Sequence, residues 1–144
     1  MPKPSIPNLP CMCASLRRAS RTLSQFYEEA LRPTGLRGTQ FTILQTLSIA
    51  GEVTQGQLGH ILALDSTTLT RTLTIMSRHG WIAKQRGKDR REWRMRLSTA
   101  GQTQFKKALP YWEKAQTKVR RRLGGELSDN LMNLTQTITN VLID

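Results

Sequence analysis

Two helix-start signals stand 11 residues apart, at Thr54 and Asp65, and that spacing constrains the fold more than any other feature of the chain. In Thr54-Gln55-Gly56-Gln57 the Thr54 hydroxyl can accept from the Gln57 N–H while the Gln57 side chain reaches back to the Thr54 N–H. Val53 and Leu58 are placed to staple the start of that helix. Asp65 can cap a second helix, with Leu64 and Leu69 repeating the staple and Leu69, Leu73 and Met76 forming a buried side until Gly80 stops it. Only Leu62, Ala63 and Leu64 remain for the connection. Two short helices joined by so tight a corner form a helix-turn-helix.

The flanking segments extend that unit. Trp81-Ile82-Ala83-Lys84 reads as a short strand and residues 85–90 as a polar turn. In Glu92-Trp93-Arg94-Met95-Arg96-Leu97 the apolar residues Trp93, Met95 and Leu97 alternate with charged ones, which predicts a second strand with one face on the core. A hairpin directly after a helix-turn-helix is a wing. Upstream, Thr39 to about Ile49 shows Phe41, Leu44 and Leu47 at helical spacing, and a longer helix from about Ser15 carries Leu16, Leu23, Phe26 or Tyr27 and Leu31 until Pro33 and Gly35 stop it. Four prolines among the first ten residues predict an extended arm before it. Downstream, Thr99 opens a long helix through Phe105, Leu109, Trp112 and Val119, with a kink expected at Pro110 and an end at Gly124-Gly125. A last helix from about Glu126 presents Leu127, Leu131, Leu134, Ile138 and Val141 at steps of 4, 3, 4 and 3. Trp81, Trp93 and Trp112 read as core residues, Trp112 also as a lining of a cavity between the winged unit and the terminal helices.

The fold class is therefore mainly α: a winged helix-turn-helix with a short β-hairpin wing and N- and C-terminal dimerisation helices. In a single domain over 1–144, residues 1–10 form the arm, 11–33 and 99–144 the dimerisation helices, and 37–98 the winged unit. A winged core this small has too little surface to cover the terminal apolar stripes. Leu16, Leu23, Leu131, Leu134 and Ile138 are accordingly expected against the second subunit of a homodimer.

The net charge of +12 is regional: residues 71–96 hold 9 basic and 2 acidic groups and 97–122 hold 7 and 1, whereas 38–70 and 123–144 hold no basic group. Such a field selects a polyanion. With Leu69, Leu73 and Met76 inward, Ser66, Thr67, Thr70, Arg71 and Thr74 point outward, and hydroxyls with a guanidinium on the first turns suit a helix whose N-terminal end enters a major groove. The competing reading is that Ser-Thr-Thr merely starts a helix well. Arg86, Lys88, Arg90 and Arg91 in the wing can follow phosphates or enter a narrow minor groove. Asp89 among them is placed to hold a neighbouring Arg by a charge-assisted bond.

Taken in order, Thr39-Gln40-Phe41-x-x-Leu44-x-x-Leu47, Asp65-Ser66-Thr67-Thr68-Leu69-Thr70-Arg71, Asp89-Arg90-Arg91 and Leu97-Ser98-Thr99-x-Gly101 resemble the MarR family of bacterial transcriptional regulators over nearly the whole chain. The resemblance implies a triangular homodimer with interlaced terminal helices that binds a near-palindromic operator in double-stranded DNA. It implies steric repression, relieved when a small molecule or an oxidant acts between the two regions. It assigns Thr67, Thr68, Thr70 and Arg71 to the recognition helix, Arg91 to a wing arginine reaching the minor groove, and Asp89 to the residue that orients it. The stretch from Cys11 to Arg21 resembles the opening of one branch of the family.

Other functions find less support in the residues. His60 and His79 lack the carboxylate and Cys companions of a metal site, Glu28-Glu29 and Glu52 lie on different elements, and no cofactor or enzyme constellation emerges. A thiol enzyme would need a base that the sequence does not place near Cys11 or Cys13. A weakly specific or architectural nucleic-acid binder is the alternative, marked by a steep salt slope and a small specificity ratio. Cys11 and Cys13 are either small apolar fillers beneath the first helix or redox-sensitive thiols helped by Arg17 and Arg18. In the second case Cys11, Cys13, Arg17 and Trp112 belong to a redox or effector site. No apolar run reaches the 18 or more residues that span a bilayer and no secretion signal is evident, so a cytoplasmic protein without a membrane partner is expected.

Overall fold

Ile43, Leu44, Leu58, Leu73, Met76 and Met95 are fully shielded from solvent although they come from four different elements, and the fold is the arrangement that brings them together. Burying each side chain of this size stabilises the folded chain by about 1.5–3 kcal/mol. The computed structural model describes residues 2–143. Met1, the first residue of the predicted arm, and Asp144, the last of the predicted 99–144 segment, lie outside the described residues.

The elements run α1 (Met12–Leu31), a single 3-10 turn (Arg32–Thr34), α2 (Gly38–Ala50), β1 (Val53–Thr54), α3 (Gln55–Leu62), α4 (Ser66–Arg78), β2 (Ile82–Arg86), β3 (Trp93–Leu97), α5 (Thr99–Leu123) and α6 (Gly125–Leu142). The fold is mainly helical. α2, α3, α4 and the sheet enclose the core, and α1, α5 and α6 pack beside it. α1 begins three residues earlier than its apolar pattern suggests because Cys11 caps it, its Sγ accepting from the Ala14 N–H at 3.4 Å. No helix is long and apolar enough to cross a membrane among the described residues.

The predicted hairpin is one side of a three-stranded antiparallel sheet in the order β1-β3-β2, with Val53 opposite Met95 and Ile82 opposite Leu97. β1 escapes a periodicity search because it has only two residues. The expectation that Trp93 is a core residue is corrected: Met95 and Leu97 are buried, but Trp93 is 40% exposed at the far end of β3, beyond the reach of the core. Its ring is covered instead by the Arg86 guanidinium, 4.7 Å from the ring centre. α5 continues through Pro110, which sits on the exposed side where the Lys106 carbonyl deprived of a partner can meet water.

At the junction of wing and long helix, Ser98 caps α5 by accepting from the Gly101 N–H at 3.0 Å, while its own hydroxyl donates to the Gly80 carbonyl. Gly101 lies so close to Trp81 that a side chain has no room. α1 and α5 are tied by the Tyr27 hydroxyl, which donates to Gln116 Oε1; partial burial raises the Tyr27 pKa above its ordinary 10.0. α6 is tied to α5 by the Arg120–Asp129 pair at 2.9 Å, and the buried Ser128 turns its hydroxyl onto the Gly124 carbonyl at 2.7 Å, within reach of the Arg120 carbonyl at 3.5 Å.

Candidate nucleic-acid interface

The corner between α3 and α4 is made by Ala63, the one described non-glycine residue with a positive φ, at 50°. Both helix starts have the capping contacts their sequences specify: Thr54 accepts from the Gln57 N–H at 3.1 Å and Gln57 accepts from the Thr54 N–H at 2.9 Å. Asp65 accepts from the Thr68 N–H and from the Thr68 hydroxyl, each at 2.8 Å. These two bonds, the backbone one foremost, hold the Asp65 carboxyl below its ordinary pKa of 3.8.

With Leu69, Leu73 and Met76 buried, α4 exposes Ser66, Thr67, Thr70, Arg71 and Thr74 on its other side. Thr68 does not join them as a free contact. It is half-buried and its hydroxyl is committed to Asp65, because the residue three positions after the cap lies over the first turn. The Thr74 hydroxyl donates to the Thr70 carbonyl at 2.8 Å, leaving only its lone pairs for an outside partner.

In the wing, Lys88, Arg90 and Arg91 are exposed and have no carboxylate partner among the described residues. Arg86 is exposed but serves the loop itself, donating to the Arg90 carbonyl at 2.6 Å while stacking on Trp93. Asp89 differs from the sequence reading: its carboxylate accepts from the backbone N–H of Arg91 at 3.0 Å rather than from a guanidinium, so it fixes the turn on which Arg91 stands. An Asp at this point of a tight turn bonds the backbone two residues on more readily than a flexible side chain.

Two residues that contribute to this surface carried no local signal. Glu52 pairs with Arg94 at 2.7 Å, tying the start of β1 to β3, and Gln55 donates from Nε2 to the Thr70 hydroxyl at 2.9 Å. Each contact joins residues far apart in sequence, 42 and 15 positions, so no helical or strand period reveals it.

The remaining candidate residues lie elsewhere. In the single chain Cys11 and Cys13 are both exposed rather than packed beneath the first helix; Cys11 caps α1 and Cys13 Sγ accepts from Arg17 Nη2 at 3.2 Å. Leu16, Leu23, Leu131 and Trp112 line a groove of about 710 Å³ between the winged unit and the terminal helices, together with Tyr27 and Phe41. Trp112 stacks on Phe41 there, ring centres 5.8 Å apart. The structure does not bring the thiols to this groove's lining. Leu134 is 58% exposed, Ile138 half-buried, and Leu127, Val141 and Leu142 are open to solvent on the same helix.

The sequence model of the MarR family matches residues 36–93, from the 3-10 turn's exit to the first residue of β3. The transcriptional regulator MOSR of M. tuberculosis, solved in complex with DNA, is 35% identical, with 92% of this chain and 99% of that chain covered and a TM-score of 0.78. An uncharacterized HTH-type transcriptional regulator, YwoH of Bacillus subtilis, is 30% identical over 77 residues; the match takes in 54% of this chain and 56% of that protein, little more than half its length. A mutant MarR from E. coli, complexed with operator DNA, shares the fold with a TM-score of 0.78 at 19% identity, over 88% of this chain and 92% of that one.

Proposed function

The chain belongs to the MarR family of transcriptional regulators, and on that premise we propose that it is a homodimeric repressor that binds a near-palindromic operator in double-stranded DNA and is released by a small molecule or an oxidant. One observation carries the DNA-binding part of this reading: the exposed side of α4, with Thr67, Thr70, Arg71 and Thr74, stands beside a wing whose Lys88, Arg90 and Arg91 are solvent-facing cations without carboxylate partners among the described residues. α4 enters the major groove, Arg71 reaching guanine O6 and N7 or a phosphate, and Arg91 reaches the flanking minor groove from a turn held by Asp89. The complex of the 35% identical M. tuberculosis regulator with DNA supports the same partner here.

A dimer is favoured by the apolar side of α6. Leu127, Leu134, Val141 and Leu142 are each at least 58% exposed on a single chain, more apolar surface than one helix of a folded monomer leaves to water. A second subunit laid on α1, α5 and α6 covers it. The groove containing Trp112 lies between those helices and the winged unit, so an occupant there changes the spacing of the two α4 helices and with it the fit to successive major grooves.

Operator titrations over a range of salt concentrations test the reading. Arg71→Ala is expected to lose roughly 1–3 kcal/mol on the preferred sequence with little change on random DNA, the behaviour of a base contact. Arg91→Ala is expected to weaken binding and to lower the salt slope by about one unit if it meets phosphate. Parent-like binding by the Arg71→Ala, Arg91→Ala double variant on every sequence would remove α4 and the wing from the interface.

A further inference from the structure

We propose that Gln55, one helix away from the exposed side of α4, sets the base preference of α4 by fixing Thr70 as a hydrogen-bond donor. The inference rests on α4 being the recognition helix. Threonines within the helices of this chain mostly turn their hydroxyls back onto their own backbone: Thr72 donates to the Thr68 carbonyl at 3.0 Å and Thr74 to the Thr70 carbonyl at 2.8 Å, and Thr42, Thr46, Thr103, Thr137 and Thr139 do the same. Thr70 is different. Its Oγ1 receives the side-chain amide of Gln55 at 2.9 Å.

An amide nitrogen can only donate, so Thr70 is the acceptor in that bond and its single O–H proton is left for an outside partner. Thr74, one turn further on, has spent its proton and offers only lone pairs. The exposed side of α4 therefore presents a donor at Thr70 and an acceptor at Thr74, a polarity that free threonine rotors would not have. In a major groove a hydroxyl donor suits guanine O6 or N7, adenine N7 or thymine O4, and finds no acceptor on cytosine, whose edge offers the N4 donor. Gln55 is a positioning residue in this scheme. It stands at the first position of α3, where Thr54 caps the helix, so its backbone is fixed independently of α4.

The test is selection of bound sequences from random duplex DNA by the full-length parent and by Gln55→Ala, Gln55→Glu, Thr70→Val and Gln55→Ala with Thr70→Val, each first shown to melt like the parent. The parent is expected to exclude cytosine at one position in each half-site. Gln55→Ala should relax that exclusion by about 3- to 10-fold, the worth of one directed hydrogen bond, at that position alone. Gln55→Glu supplies an acceptor in place of the donor, accepts the Thr70 O–H as a hydrogen bond, and should turn the preference toward cytosine N4 or adenine N6, on top of a uniform loss from its charge. On the Thr70→Val background, Gln55→Ala should change that position no further. Unmoved base preferences in Gln55→Ala, or an equal loss on every sequence, would overturn the inference while leaving the regulator reading intact. A parent that enriches no sequence would overturn the regulator reading and this inference with it.

Discussion

Gly101→Ala separates two opposing effects whose sizes the structure allows to be compared. A Cβ built at Gly101 would stand 2.0 Å from the Trp81 carbonyl oxygen, against a floor of 3.0 Å for real Cβ contacts, and the other close atoms are also Trp81 backbone. The first turn of α5 and the chain at Trp81 must therefore part by about 1 Å. The same carbonyl accepts the Ser98 N–H at 3.0 Å, and Ser98 in turn caps α5 and donates to Gly80, so the movement strains one joint at which wing, α4 exit and α5 meet. Overpacking of this kind costs about 1–3 kcal/mol and the weakened Ser98–Trp81 bond about 1 kcal/mol more. Against this, alanine in place of glycine inside a helix returns about 0.8–1 kcal/mol. The net loss of about 1–3 kcal/mol corresponds to a fall in Tm of about 3–10 °C for a chain of this size. Thermal melting by circular dichroism reads it, with parent and variant at one fixed protein concentration because self-association makes Tm depend on concentration. A Tm equal to the parent's or higher would refute the close-approach argument.

Two further outcomes follow from other sites. Asp65, held below its ordinary 3.8 by the Thr68 N–H and hydroxyl, stabilises the folded chain fully above pH 3.8, and that contribution is lost as pH falls through the lower folded value; the stability gap between parent and Asp65→Asn, followed by denaturation into acid, is expected to shrink there, and a gap constant with pH would contradict the assignment. Mild peroxide is expected to weaken operator binding by the parent and to spare a Cys11→Ser, Cys13→Ser variant, since both thiols are exposed and Cys13 touches Arg17; unchanged parent affinity with thiol oxidation confirmed by mass spectrometry would exclude an oxidant acting through them.

What was legible in the sequence was what local chemistry controls. Thr54, Gln57 and Asp65 announce their helices because a cap needs its partners within three residues, and Leu69, Leu73 and Met76 fix the orientation of α4 because a helix repeats its buried side every turn. Gly101 could be noted as part of a junction, but its reason lies in a backbone 20 residues upstream. β1 has two residues and its register with β3 is set by tertiary packing, so no alternation betrays it. Trp93 follows the strand period and still faces solvent, because position along β3 carries it past the end of the core. The Gln55–Thr70 and Glu52–Arg94 contacts depend on how two elements cross, and side-chain types alone do not encode a crossing.

The central claim is that two copies of this chain read one duplex through paired α4 helices, and footprinting on a selected operator combined with the stoichiometry of the complex tests it most directly. The account predicts two chains per duplex and base-specific major-groove protections in two patches about one helical turn, 10–10.5 bp, apart, flanked by minor-groove protection from the wings. Even protection of the phosphate backbone with no fixed register, or one chain per site, would contradict it and identify a binder that holds DNA without reading it.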